Sequence, residues 1–385
     1  MGFLKKHLNI LLIFCSLSFF SGCAKSIIKI VYQKDDNPVT MFAETGERNF
    51  YVPITISDSL SLIWERDTHG SFNNSSFLFF DSTIIVHDLG GRVHTFNIHT
   101  GKQTGVLKNK GSVLSTPVLI NYSIVIPLVL TNKNKTELIF YDYFNGKELD
   151  LVEIDGRVIN QLLKIDDDVV LITEEGTIKR INLRGNEKWN ISFDSFVRSN
   201  PAYSNGRIYF ASIDGEFFCL DAESSRLIYR KKLSSSFNGG VTIKSNNAYL
   251  ADTDGIIYSI KLSDGGINWV YNAGSRIQMN PALDNENLFI GNLSGEIFSI
   301  TQNTGALNWK EKFNGAVFNS TPLITDNRII ISNLFKSVFL INKTDGKVSK
   351  EISLNERVKM TPAIKCNILF LGYDRGTVRA YEIVN

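Results

Sequence analysis

Residues 72–385 of this chain repeat one pattern eight times, and a repeat that regular settles the architecture before any local motif is read. Aligned on the position that opens each unit, the anchors are Phe77, Pro117, Leu162, Pro201, Val241, Pro281, Pro322 and Pro362, spaced by 40, 45, 39, 40, 40, 41 and 40 residues. In the sixth unit one strand follows Pro281 and a second is the apolar run Leu288 to Gly291. A turn at Ser294-Gly295 leads into a third, Glu296 to Ile300, and Thr304-Gly305 turns the chain into a fourth closed by Trp309. Glycine suits both turns because it reaches positive φ at little steric cost.

The first turn glycine recurs fourteen residues after the anchor as Gly91, Gly176, Gly215, Gly255, Gly295 and Gly376. Unit seven has Lys336 there, and unit two carries an insertion rich in Asn and Lys, Asn132 to Glu137. Four residues past the second turn stand Trp189, Tyr229, Trp269 and Trp309. Third strands are apolar at positions three apart, such as Ile178 and Ile181 or Ile297 and Ile300. Such positions lie on opposite faces of a strand, so both faces must be covered. Four-stranded units of this period, packed face to face, are blades of an all-β, eight-bladed β-propeller, with roughly 45° of rotation per blade. A stacked β-solenoid is the other architecture open to such a repeat, but its period is usually shorter. Unit eight stops after its third strand, Thr377 to Ile383, and the missing aromatic strand stands ahead of unit one as the segment around Trp64. A ring closed by an N-terminal strand uses that arrangement; a solenoid does not.

With 41 basic and 39 acidic side chains the chain has a net charge of +2, and no basic block points to nucleic acid. The front end is different in kind. Lys5 and Lys6 form a charged head, Leu8 to Phe20 an apolar run too short to cross a bilayer, and Ser21-Gly22 a small-residue site before Cys23. The Phe-Ser-Gly-Cys ending resembles a bacterial lipobox, with Phe20 where that pattern prefers Leu. It implies cleavage after Gly22, lipidation of Cys23 and, with Ala24 following, an outer-membrane anchor facing the periplasm of a Gram-negative cell. The plain alternative is an ordinary signal with an incidental cysteine. The expected division is a signal over 1–22, a lipidated N-terminus and tether over 23–55 and the propeller over 56–385.

Chemistry is sparse. The histidines outside the signal are His69, His87, His94 and His99, without metal-ligand spacing, and are expected on the surface of blade one. The chain has no GxSxG, CxxC or Walker loop. Asp166, Asp167 and Asp168 are expected to form a solvated turn tip, and Cys219 and Cys366, four blades apart, to be unpaired and at least half-buried.

The unit, with its Pro anchor, paired turn glycines and closing Trp, resembles the PQQ-type propeller repeat over residues 60–385. That repeat occurs in quinoprotein alcohol dehydrogenases and in BamB-like lipoproteins of the outer-membrane β-barrel assembly machinery. Gly105, Asp150 and Lys350 replace the aromatic in units one, two and seven, which predicts looser seams there. The quinoprotein branch is longer, adds a vicinal cysteine pair and holds Ca²⁺. The absence of adjacent cysteines therefore favours the BamB-like branch, without cofactor or metal, and leaves a quinone- or ligand-binding propeller as the alternative. The resemblance implies a non-catalytic scaffold docking on the periplasmic domains of a BamA-like barrel-assembly protein.

In a propeller the loops leading into each blade share a face with the turns between second and third strands. Three of those incoming loops carry an arginine five residues before the anchor, namely Arg157, Arg276 and Arg357. The loop into blade four offers Phe196, Val197 and Arg198, and the loop into blade five offers Phe237. Aromatics and arginines tend to dominate interfaces, so these seven residues are the candidate partner contacts. By the resemblance, acids are expected in the blade-five loop, where this chain has only Ser234, Ser235 and Ser236.

Overall fold

The computed structural model describes residues 27–30, 35 and 37–384, so Gly22 and Cys23 lie outside the described residues. It is an eight-bladed propeller of antiparallel sheets, with no helix among the described residues. Blade 6 shows the common plan, with strands Ala282–Leu283, Asn287–Gly291, Glu296–Thr301 and Leu307–Lys312 from the axis outward. Its second and third strands are walled in by neighbouring blades: Leu288, Phe289, Ile290, Ile297 and Ile300 are wholly buried. This is why the sequence shows continuous apolar runs there rather than alternation. The fourth strand faces solvent, and its register slips by one residue between the pairs Ser299–Trp309 and Ile300–Leu307. Such a bulge sharpens the local twist.

Closure follows the expected route. Leu60–Asp67 pairs antiparallel with Thr377–Ile383 as the outer strand of blade 8, with Trp64 opposite Ala380. Blade 2 absorbs its extra residues by lengthening the hairpin Ser123–Val129 and Lys135–Asp142.

The closing aromatics tie each blade to the next. The indole Nε1 groups of Trp64, Trp189, Trp269 and Trp309 donate to the carbonyls of Ile98, Ala222, Gln302 and Lys343 at 2.7, 3.1, 2.7 and 3.0 Å. Tyr229 does the same through its hydroxyl, 3.1 Å from the Leu262 carbonyl. Every acceptor lies just past the third strand of the following blade, so the bond fixes the blade-to-blade register.

The seams without an aromatic are filled, contrary to expectation. A Cβ on Gly105 would come within 2.8 Å of the Ile27 carbonyl, because residues 27–30 lie between blades 1 and 2. Ile28 is buried there, and its carbonyl accepts from the Tyr141 hydroxyl at 3.0 Å. On blade 7, Asp58 receives Arg328 through Nε and Nη2 at 2.8 and 3.0 Å and Ser349 Oγ at 2.8 Å, while Lys350 Nζ donates to its carbonyl at 2.7 Å. Under Gly185 lie the side chains of Asp150 and Val152.

Where a tether was expected, residues 39–52 are built into the ring. The first strand of each blade turns an unpaired edge to the central channel, and edge groups need partners. The backbone N–H groups of Phe79, Leu119, Tyr203, Ile243 and Ile324 donate to the carbonyls of Val39, Thr40, Gly46, Glu47 and Phe50 at 2.7–3.1 Å. The segment thereby spans blades 1, 2, 4, 5 and 7 and buries Met41, Phe42, Ala43 and Phe50. The physical reason is legible only in three dimensions: five donors of one repeated position converge on the axis.

Candidate partner-binding face

The incoming loops and the turns between second and third strands do share a face, and the backbone locks them together. The carbonyl five residues before the anchor accepts from the N–H twelve residues after it: Glu174 to Arg157, Ile213 to Phe196, Leu293 to Arg276 and Asp374 to Arg357, all at 2.8–2.9 Å. The turn glycine keeps this layer tight. Gly176 has φ +89°, and a Cβ there would stand 2.3 Å from the Ser195 carbonyl. The residue five before the anchor is thus held rigid with its side chain outward, and Arg157, Phe196, Arg276 and Arg357 are all exposed.

The next residue along points the opposite way. Val113, Val158, Val197, Phe237, Ile277, Phe318 and Val358 share the position four before the anchor and are all at most 5% exposed. Val197 and Phe237 are therefore not surface contacts. Phe237 packs on Tyr258 with ring centroids 5.8 Å apart, and Val197 lies in the core shared by blades 3 and 4. One residue of register moves a side chain from solvent-facing to core.

Blades 3 and 4 concentrate the remaining candidates. Glu174, largely buried, accepts from Arg198 Nε and Nη2 at 3.0 and 2.9 Å and pairs with Arg157 Nη1 at 3.3 Å. Two guanidiniums on one carboxylate leave a positive surplus, held in fixed geometry beside the half-exposed ring of Phe196. Arg357 pairs with Asp374, across the ring from this cluster. Arg276 makes no side-chain ion pair with any described residue. The structure thus brings Arg157, Phe196 and Arg198 together and leaves Arg276 and Arg357 apart from them.

The blade-five loop carries no acid, but acidic side chains stand elsewhere on the same face. Asp214 and Asp254, at the turn tips of blades 4 and 5, are exposed directly before the turn glycines. They stand one residue before Gly215 and Gly255, a column readable in the sequence.

Other side chains depart from expectation. His87 and His94 are buried, not superficial. The second strand of blade 1 is covered on both faces, and His94 Nε2 lies 3.3 Å from buried Asp88, with Gln103 Nε2 3.2 Å from its Nδ1. Burial pushes the His87 imidazole down to about 4. Asp168 is no solvated tip, because its carboxylate holds Arg180 Nε and Lys188 Nζ at 2.7 Å each. Cys219 is buried, whereas Cys366 is exposed in the tight turn between the first two strands of blade 8. Among the described residues, no group of three or more His, Cys, Asp or Glu side chains is placed to hold a metal ion.

Comparison with known proteins adds to this geometry. The profile of a family described as Outer membrane protein assembly factor BamB matches residues 174–280 and 273–385, together more than half of the chain. No curated protein sequence matches it. Among solved structures, BamB from Moraxella catarrhalis is 15% identical and superposes with a TM-score of 0.72, covering 84% of this chain and 100% of that one. The computationally designed Ika8 protein, 14% identical, gives 0.72 over 84% of this chain and 100% of that one. The quinohemoprotein alcohol dehydrogenase ADHIIG from Pseudomonas putida HK5, 10% identical, gives 0.74 over 90% of this chain and 80% of that one. At these identities the likeness to solved structures shows the fold alone.

Proposed function

The chain belongs to the family of the outer membrane protein assembly factor BamB, and on that premise we propose that it is a non-catalytic periplasmic scaffold lipoprotein of the outer-membrane β-barrel assembly machinery. Its product is a docking surface for the periplasmic domains of a BamA-like protein. One observation carries this reading. Phe196 stands half-exposed beside the Arg157–Glu174–Arg198 cluster on a layer whose backbone is locked by hydrogen bonds. An aromatic anchor flanked by pre-positioned arginines is the kind of group that concentrates binding energy, because little side-chain freedom remains to be lost on association. Exposed Asp214 and Asp254 supply the opposite charge on the adjoining turns.

Cys23 anchors the ring to the outer membrane through its acyl chains, each buried methylene contributing about 0.8 kcal/mol. The route from that anchor into the ring is short, since the chain is already in contact with blades 1 and 2 at Ile27 and Ile28. Affinity capture of the lipidated protein from a detergent-solubilised envelope should recover a BamA-like protein as a stoichiometric partner; capture that consistently lacks it would overturn the assignment. Fractionation of Cys23→Ser separately tests the anchor, which is refuted if that variant stays in the membrane.

A further inference from the structure

The channel opens on the docking side as a cavity of about 470 Å³. That size lies within the roughly 300–1,000 Å³ range of small-ligand sites. Its lower end is stopped by the N-terminal segment. Phe42 forms the floor, and its carbonyl is held by Arg48 Nη1 at 2.9 Å. A ligand can therefore enter from one side only.

The repeat places the residue three before each anchor around this mouth, and the resulting ring has two unlike halves. Leu114 and Ile159 give blades 2 and 3 an aliphatic wall, Arg198 follows at blade 4 with its guanidinium on Glu174, and Asn238, Gln278, Asn319 and Lys359 line the arc of blades 5 to 8. Those four polar side chains make no hydrogen bond or ion pair with any described residue, although they sit half-buried. Elsewhere around the axis such groups are used up: Thr116 N–H donates to Gln161 Oε1 at 2.8 Å, and Asn200 Nδ2 to Asn280 Oδ1 at 3.2 Å. Polar groups that line a cavity and are not used by the protein itself are free to fix the orientation of a ligand.

We propose that this mouth binds the free C-terminal end of an apolar polypeptide. Lys359 is the cation for the terminal carboxylate, since Arg198, the other cation of the mouth, is already paired with Glu174. Three carboxamides, each able to donate and accept, match the alternating N–H and C=O groups of an extended main chain. The aliphatic wall receives the last apolar side chain. A glycan fits less well, because sugars stack on open aromatic faces and the two aromatic rings here, Phe42 and Phe72, are only 3% and 2% exposed. The site goes beyond the scaffold reading and does not rest on it: Arg198 borders both, but Phe196 and Arg157 do not line the cavity, and Lys359 stands in the loop into blade 8, away from the docking cluster.

The test is fluorescence anisotropy of the lipidated protein in detergent with a fluorescein-labelled hexapeptide ending in valine and leucine. The free acid should bind saturably and its C-terminal amide about tenfold more weakly, the loss of one charge-assisted hydrogen bond. Lys359→Gln should abolish that difference and Lys359→Arg restore it, while Gln278→Leu should weaken acid and amide alike. Equal binding of acid and amide, persistence of the difference in Lys359→Gln, absence of saturable binding, or displacement of the peptide by a chito-oligosaccharide would each overturn the proposal.

Discussion

At the scale of single residues, the features that hold this ring together are polar groups with no room for error. The Arg48 guanidinium is wholly buried, and it donates to the carbonyls of Pro201, Phe42 and Leu162 at 2.7, 2.9 and 3.0 Å with no carboxylate among its partners. It pins the crossing segment to blades 3 and 4. Arg48→Met keeps the volume but strands several buried carbonyls, so unfolding should become easier by about 3–5 kcal/mol. Chemical denaturation followed by tryptophan fluorescence measures this directly. His87 acts through pH. Its Nε2 has no hydrogen-bond partner, and the imidazole is held down to about 4 against 6.5 ordinarily. The unfolded chain therefore binds that proton more readily than the folded one. Stability is complete above about pH 6.5 and falls as pH drops toward 4, with about 2 kcal/mol lost between pH 7 and pH 5. Urea midpoints at the two pH values should show this fall in the wild type, and His87→Leu should remove it.

Blades and turns explain which departures from the repeat matter. The indole of Trp269 lies over Gly305 of the following blade, where an added Cβ would meet the ring at 2.7 Å. Trp and the turn glycine are thus one device recorded in two columns of the sequence. Trp269→Ala should cost about 3 kcal/mol through lost packing and the unpaired Gln302 carbonyl. Where the Trp is missing from blades 1 and 7, chain from outside the repeat takes its place, as Ile27 and Ile28 do beside Gly105 and Asp58 does on blade 7. Lys336 is the opposite case. It occupies the glycine position of blade 7 at φ +71°, next to Phe335, the most exposed large apolar side chain among the described residues. A left-handed conformation strains any side chain with a Cβ. Lys336→Gly should therefore raise stability by about 1 kcal/mol, read as an increase in the thermal midpoint.

For the whole molecule, the period, the blade count and the N-terminal closure were legible because repetition averages out local ambiguity. Residues 39–52 were not, because they belong to no repeat and their partners are five backbone N–H groups from separate blades. Candidate contacts failed where residue type was read without register. Phe196 and Val197 are adjacent, one outward and one in the core, and the apolar column that includes Val197 and Phe237 was present in every unit from the second onward. What emerges is a ring stiffened by aromatic seams and a central strap, presenting loops that cannot relax. The central claim is that blades 3 and 4 of this ring bind a BamA-like partner. Titration calorimetry of the purified protein against the partner's periplasmic domains tests it. Binding should be saturable, should weaken by about tenfold or more in the double variant Phe196→Ala with Arg198→Glu, and should be unchanged by Lys147→Glu on the outer edge of blade 2. Absence of binding, or a double variant that binds as the wild type does, contradicts the account.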